Sequence, residues 1–225
     1  MMMISNSSLK VKVCGLRDEA NIEALLRHSP QLNYLGFIFH PPSPRFVGEL
    51  LRPDFMRSLA ARVATVGVFV DAPPEKIIAA RERFQFHAVQ LHGAETPDDC
   101  EHLRERFQSR SEQVQVWKAL SIASSGDIAR VNAYDGAVNL ALLDTKGAAH
   151  GGNGTRFDWT LLQGYTAQTD FFLSGGIDLS HLAEIRGLHH PQLRGVDVNS
   201  RFEIAPALKD ARRVHDFLDQ ISATP

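Results

Sequence analysis

The sequence predicts an α/β protein built as a single (β/α)8 TIM barrel. Eight short apolar or β-branched runs recur along the chain, and each is followed by a segment with helical periodicity. The spacing of the runs is close to the roughly 30 residues of a βαβ unit, repeated without a linker. A doubly wound sheet is the alternative that periodicity leaves open. The predicted strands cover residues 9–14, 35–39, 64–70, 88–91, 114–120, 140–144, 171–174 and 195–199.

Two of the intervening helices carry recognisable signals. Thr96 can cap a helix whose first residue is Pro97. Cys100, Leu103 and Phe107 follow at the spacing i, i+3 and i+7, so they share one predicted buried face of this helix. We therefore interpret Cys100 as structural. The last predicted helix carries an apolar stripe made of Ala211, Val214, Phe217, Leu218 and Ile221.

Composition excludes several classes of protein. The 225-residue chain has a formal net charge of -2, which argues against a basic nucleic-acid binder. No apolar run approaches the ~18–20 residues that a membrane span needs. Residues 1–8 lack the features of a secretory signal and are interpreted as a disordered leader, with residues 9–225 forming one barrel domain. Two cysteines without metal-ligand spacing predict no metal site and a reducing, cytoplasmic setting.

Polar residues end several of the predicted strands. In a (β/α)8 barrel the active site lies at the carboxyl ends of the strands, and the loops after strands seven and eight often hold phosphate. We therefore expect a site at that rim. The candidates are Cys14, His92, Asp144, Ser174 with Gly175 and Gly176, and Asp197 with Asn199 and Ser200.

Cys14 and Asp144 are the candidates for acid–base chemistry. A rim thiol can act as a base or nucleophile if nearby positive charge lowers its pKa from ~8.5, and is otherwise a small buried hydrophobe. Asp144 ends a very apolar strand, where desolvation would raise its pKa toward the range a general acid needs. The alternative for Asp144 is a helix or loop cap.

Three further features suggest ligand contacts. The turn at Ser174–Gly176, paired with Asn199 and Ser200, can present backbone N–H groups to phosphate, although a tight turn needs glycine in any case. Arg45 lies in a proline-rich loop and can clamp a carboxylate with two parallel hydrogen bonds, or be a surface arginine. His92 either orients substrate or is a satisfied rim histidine.

Two lysines and one loop stay ambiguous. Lys146 can be a Schiff-base lysine, a phosphate contact or a solvated charge, and Lys118 is equally ambiguous. The glycine-rich loop at residues 151–154 is a weak cofactor motif and a plausible mobile loop over the site.

Taken together, these segments resemble the phosphoribosylanthranilate isomerase family of tryptophan biosynthesis. The matching segments occur in family order and span residues ~9–210. They are KVCGL at 12–16, GFIF at 36–39 with SPRFV at 43–47, VGVFV at 66–70, VQLHG at 89–93, LDTK at 143–146, GGNG at 151–154 with FDW at 157–159, SGG at 174–176 and GVDVNS at 195–200.

The resemblance implies an Amadori rearrangement of N-(5-phosphoribosyl)anthranilate to 1-(2-carboxyphenylamino)-1-deoxyribulose 5-phosphate, without cofactor or metal. It implies that Asp144 is the general acid, that Cys14 is the general base, and that Arg45 engages the anthranilate carboxylate. The expected partner is a phosphorylated small molecule, with no nucleic acid or membrane, and the chain is expected to be a monomer or homodimer. The residues expected to bind substrate are Arg45, His92, Ser174, Gly175, Gly176, Asp197, Asn199 and Ser200.

The chain departs from the family pattern at two places. Many relatives have glycine where this chain has Arg201, and Pro-Gly where it has Pro206-Ala207. Three other functions stay open. An aldolase-type barrel would use Lys146 as a Schiff-base former. An isomerase for a histidine-pathway aminoaldose usually has two carboxylates, and Cys14 argues against it. A phosphate-binding barrel without turnover would be expected to lack Cys14 or Asp144.

Overall fold

Eight parallel strands pair in sequence order, and the last pairs with the first to close a barrel. The computed structural model describes residues 9–145 and 156–222, so the predicted leader at 1–8 lies outside the described residues. Closure confirms the predicted (β/α)8 barrel, because a doubly wound sheet would leave two edges unpaired. The strands are β1 (Lys10–Val13), β2 (Tyr34–Ile38), β3 (Ala64–Phe69), β4 (Ala88–Leu91), β5 (Gln115–Ile122), β6 (Leu140–Thr145), β7 (Phe171–Leu173) and β8 (Leu193–Val198).

Several predicted strand bounds are wrong by one or two residues. Cys14 and Ser174 lie just beyond β1 and β7, although their N–H groups still donate to Val198 and Leu143 at 2.9 Å. Both strands end there because the next residue is a glycine with positive φ. In contrast, β5 continues to Ile122, two residues past its predicted end at residue 120, because its pairing with β6 continues that far.

Helices cover the outside of the barrel. The Thr96 capping box and the buried face of the fourth helix, including Cys100, are as predicted, and so is the apolar stripe of the last helix. Between β6 and β7 the described residues contain only a 3-10 helix, Trp159–Gly164. The α-helices are α1 (Glu19–His28), α2 (Pro53–Ala60), α3 (Pro74–Phe84), α4 (Pro97–Ser109), α5 (Ser125–Ala129), α6 (Leu182–Gly187) and α7 (Ala211–Ser222). Over the two described ranges, none of these helices combines the length and apolarity that crossing a membrane requires.

A small antiparallel ribbon, not predicted from the sequence, interrupts the connection from β8 to α7. It pairs β9 (Glu203–Ala205) with β10 (Leu208–Lys209). Ala207 in its turn has a φ of 66°, a conformation that favours glycine. The ribbon folds back against the barrel, so that Glu203 and Lys209 reach the carboxyl ends of the strands.

The barrel interior changes from apolar to polar along its axis. Strand side chains alternate between the interior and the helix layer. The apolar part is a cluster of Val66, Ala88, Trp117, Ala119, Leu140, Leu142 and Phe172. Nearer the carboxyl ends the inward positions are polar and buried, and they include Lys12, Gln90 and Asp197. This polar part is the floor of the site.

Candidate active site

A cleft with about 760 Å³ of open space lies at the carboxyl ends of the strands. The ten residues predicted for the site all line it, namely Cys14, Arg45, His92, Asp144, Ser174, Gly175, Gly176, Asp197, Asn199 and Ser200. Sequence analysis did not single out His40 and Gln90, which also line the cleft, and Arg201 borders it as well. Lys146 and the loop at 151–154 fall outside the described residues.

Cys14 forms one wall of the cleft and lies directly above a buried ion pair. It is 4% exposed, and Lys12, two residues earlier on the same face of β1, is fully buried. Lys12 Nζ donates to Asp197 Oδ1 at 2.9 Å, and its positive charge acts on the neighbouring Cys14 thiol. Burial raises the pKa of Cys14, and the Lys12 ammonium acts in the opposite direction. Asp197, predicted to bind substrate, therefore has Lys12 as its partner in this structure.

Asp144 ends β6 on its inward face, and its two carboxylate oxygens have different partners. Oδ1 accepts from the Thr145 N–H at 2.8 Å, and Oδ2 lies 3.2 Å from His92 Nε2. The amide nitrogen of Gln90 lies 3.0 Å from His92 Nδ1 and can only donate, so the ring proton is on Nε2 and points to Asp144. A Cβ at Gly175 would lie 2.7 Å from Asp144 Oδ1, so only glycine fits there.

The loops after β7 and β8 form a further part of the cleft wall. Gly175 and Gly176 have φ values of 86° and 65°, which turn the chain sharply after Ser174. Asn199 and Ser200 introduce the 3-10 helix Ser200–Phe202 on the neighbouring loop. These are the two loops that hold phosphate in many barrels of this kind. Both turns and Arg201 line the cleft.

Arg45 is held by a buried carboxylate that the sequence did not predict. Its Nε donates to Glu203 Oε1 at 2.9 Å and its Nη2 to Oε2 at 2.7 Å. Glu203 also accepts from Lys209 Nζ at 2.6 Å, and the same Nζ donates to Asn199 at 2.6 Å. Burial lowers the pKa of Lys209 to about 8, although Glu203 opposes this. Glu203 occupies the Nε–Nη2 edge of Arg45, which leaves the Nη1–Nη2 edge to meet a ligand.

Lys118, one of the two lysines whose role the sequence leaves open, is buried and makes contacts that stabilise the fold. Its side chain is 2% exposed, and its Nζ donates to Gly93 O at 2.8 Å. It also forms an ion pair with Glu95 at 3.1 Å. These contacts fix the loop that follows β4 and carries His92, and Lys118 is absent from the lining described for the cleft.

A closed barrel with a thiol and a carboxylate facing one cleft, and glycine-bounded loops after β7 and β8, defines the class of acid–base isomerases built on this fold. Comparison with known proteins narrows the class. The family model for N-(5'phosphoribosyl)anthranilate (PRA) isomerase matches residues 11–220. The chain belongs to this family, as the sequence motifs predicted, and it is an isomerase of tryptophan biosynthesis.

Individual relatives agree with that assignment over nearly the whole chain. The N-(5'-phosphoribosyl)anthranilate isomerase of Phocaeicola vulgatus is 38% identical over 211 residues, which are 94% of this chain and 97% of the relative. A solved structure of monomers of the dimeric phosphoribosylanthranilate isomerase from Thermotoga maritima has a TM-score of 0.76 at 30% identity, covering 95% and 98% of the two chains. A phosphoribosyl anthranilate isomerase in complex with reduced 1-(o-carboxyphenylamino)-1-deoxyribulose 5-phosphate has a TM-score of 0.73 at 27% identity, with the same coverage.

Proposed function

We propose that the protein isomerises N-(5-phosphoribosyl)anthranilate to 1-(2-carboxyphenylamino)-1-deoxyribulose 5-phosphate, with Asp144 as general acid and Cys14 as general base. The observation that carries this proposal is that Asp144 and Cys14, from β6 and β1, face one cleft. A substrate held between them can be protonated from one side and deprotonated from the other. The names of the relatives, and the reduced product bound in one of them, support this substrate.

The first step opens the ribose ring. The Asp144 carboxyl gives its proton to the ring oxygen, and the C1–O bond breaks with its electron pair going to that oxygen. The lone pair of the anthranilate nitrogen forms the C=N bond, which gives a protonated Schiff base. The His92 Nε2–H, 3.2 Å from Asp144, stabilises the carboxylate that remains.

The second step moves hydrogen from C2. The Cys14 thiolate removes the C2 proton, the C–H electron pair forms the C1=C2 bond, and the C=N pair returns to nitrogen. The positive charge of the Schiff base makes this proton acidic. The neutral enol-amine then loses its hydroxyl proton and gains one at C1, which gives the ketone. No electrons enter or leave the substrate, so every step is a proton transfer.

The two charged ends of the substrate fit two sets of donors that line the cleft. The Nη1–Nη2 edge of Arg45 presents two parallel N–H groups to the anthranilate carboxylate. The turns at Ser174–Gly176 and at Asn199–Ser200 supply backbone donors for the phosphate, and Arg201 adds a positive charge there. His92 and Asp197 lie between these ends, beside the ribose.

The test of this function is direct. The protein is mixed with freshly prepared phosphoribosylanthranilate, and loss of the substrate's fluorescence is followed with and without EDTA. We expect catalysed loss at the same rate in both, because the proposed steps need only proton transfers. No catalysed loss, or a loss that needs added divalent metal, would contradict the proposal.

Arg45→Ala should weaken substrate binding by about 2–3 kcal/mol, the scale of hydrogen bonds between charged groups. The Michaelis constant should rise by roughly 30- to 160-fold, with a smaller change in kcat, because the carboxylate is remote from C1 and C2. Arg45→Lys should restore only part of the affinity, since an ammonium cannot form the planar pair of bonds.

Arg45→Lys is also the structural control for Arg45→Ala, because it keeps a cation beside the buried Glu203. Inhibition by inorganic phosphate should be retained in Arg45→Lys, since the proposed phosphate donors are backbone N–H groups of the loops after β7 and β8. Unchanged Michaelis constants in both variants would show that Arg45 does not bind the carboxylate.

A further inference from the structure

Lys12 lies where a lysine is rarely found, fully buried inside the barrel below the cleft. Lysine side chains are almost never fully buried unless they are paired. Asp197 faces Lys12 in the register between β8 and β1, and one of its oxygens lies 2.9 Å from Nζ. An ammonium has three N–H donors, and this bond uses one of them. The sulfur of Cys14, two residues later on the same face, lies close to the same Nζ.

Gly36 on the neighbouring strand β2 makes this contact possible. A Cβ at Gly36 would lie 2.8 Å from Cys14 Sγ and 3.0 Å from Lys12 Nζ. The sulfur and the ammonium therefore crowd the same point above the β2 backbone. Any larger residue at this position would push between them, so glycine keeps the two groups together.

We propose that Lys12, anchored by Asp197, is the positioning residue that makes Cys14 a base, because its ammonium is the counter-ion of the Cys14 thiolate. This inference rests on the proposed role of Cys14 in removing the C2 proton. A thiolate in a site with little water needs a fixed positive charge nearby, since burial disfavours the charged form. Asp197 holds the ammonium in place, and its own negative charge opposes the effect of Lys12 by raising the pKa of Cys14, with Lys12 the stronger of the two.

Other charged groups surround Cys14, and Lys12 differs from them in lying two residues away on the same face, with its Nζ and the sulfur both next to Gly36. Burial raises the pKa of Cys14, and Lys12 is the strongest influence that lowers it, ahead of Lys209. The Lys209 ammonium is already paired with Glu203 at 2.6 Å. The remaining charged or titratable groups around the cleft are Asp197 from β8, Asp144 from β6, His92 after β4, His40 and Arg45 after β2, and Arg201 after β8.

The test is the pH dependence of Cys14 alkylation by iodoacetamide, measured by peptide mass without substrate. The unmodified protein is compared with Lys12→Met/Asp197→Asn, which removes the buried ion pair as a unit and leaves neither a buried ammonium nor a buried carboxylate unpaired. We expect the inflection to lie at least one pH unit higher in the double variant, so that alkylation below both inflections is about tenfold slower. Cys100 is the internal control, because it is fully buried and burial raises its pKa to about 12.

Equal inflections in the unmodified protein and the double variant would overturn the proposal. Gly36→Ala provides a second test that keeps every charge and places a methyl group against both atoms. We expect its inflection to rise as well, and an inflection equal to that of the unmodified protein would count against the proposal. Alkylation does not involve turnover, so these outcomes are independent of whether the protein isomerises phosphoribosylanthranilate.

Discussion

Asp144→Asn should lower kcat by about 10²- to 10⁴-fold, the usual contribution of a positioned acid or base. An amide cannot give a proton to the ring oxygen, so the variant should fail at ring opening. The substitution is nearly isosteric, and the amide oxygen can still accept the Thr145 N–H bond. The amide nitrogen can donate to His92 Nε2 once the ring proton moves to Nδ1 and the Gln90 side-chain amide rotates to accept it there. Steady-state kinetics would measure the loss, and thermal unfolding would show that the fold is kept.

Asp158→Asn is a matched control for this variant. Asp158 is an exposed cap that accepts from the Thr160 N–H at 2.9 Å, away from the cleft. The same chemical change there should leave kcat unchanged. Near-normal turnover in Asp144→Asn would remove Asp144 from the role of general acid.

Cys14→Ala should cause a loss of similar size, about 10²- to 10⁴-fold in kcat, for a different reason. The variant keeps Asp144 and can open the ring, but it has no thiolate to remove the C2 proton. The two residues serve successive steps, so the losses in the double variant need not add. Inhibition by inorganic phosphate should be retained, because the loops after β7 and β8 are unchanged.

Cys100→Ala is the control for the loss of a thiol. Cys100 is buried on the inner face of α4 and does not line the cleft. Its replacement should lower the free energy of unfolding by about 1 kcal/mol through the small cavity it leaves, without lowering kcat. A Cys14→Ala variant that turns over like Cys100→Ala would show that Cys14 is not the base.

The sequence predicted the barrel and the rim because both follow from local pattern. Strand periodicity locates each run, and the closed parallel barrel brings the polar residues at the strand ends to one face. Asp144 and Ser174 could therefore be assigned to one cleft although 30 positions separate them. The placement of Cys14 at that cleft follows in the same way from the end of the first strand.

The charged residues beneath and beside the cleft could not be predicted from local sequence pattern. Lys12 stands in a run with Lys10, which is exposed, so nothing local marks Lys12 as buried. Its partner Asp197 is 185 positions away, and only barrel closure brings them together. Glu203 and Lys209 belong to strands of three and two residues, which are too short to show periodicity. The ion pairs beside Cys14 and Arg45 therefore depend on tertiary structure and leave no local pattern in the sequence.

One measurement tests most directly whether Asp144 opens the ring and Cys14 removes the C2 proton. Each variant is mixed rapidly with phosphoribosylanthranilate and then treated with borohydride. Borohydride reduces the open-chain Schiff base to a stable amine that can be counted. The account predicts that Cys14→Ala accumulates the trapped substrate amine, because ring opening by Asp144 is intact, and that Asp144→Asn does not. Trapped amine in Asp144→Asn but not in Cys14→Ala, or substrate attached covalently to the protein, would contradict it.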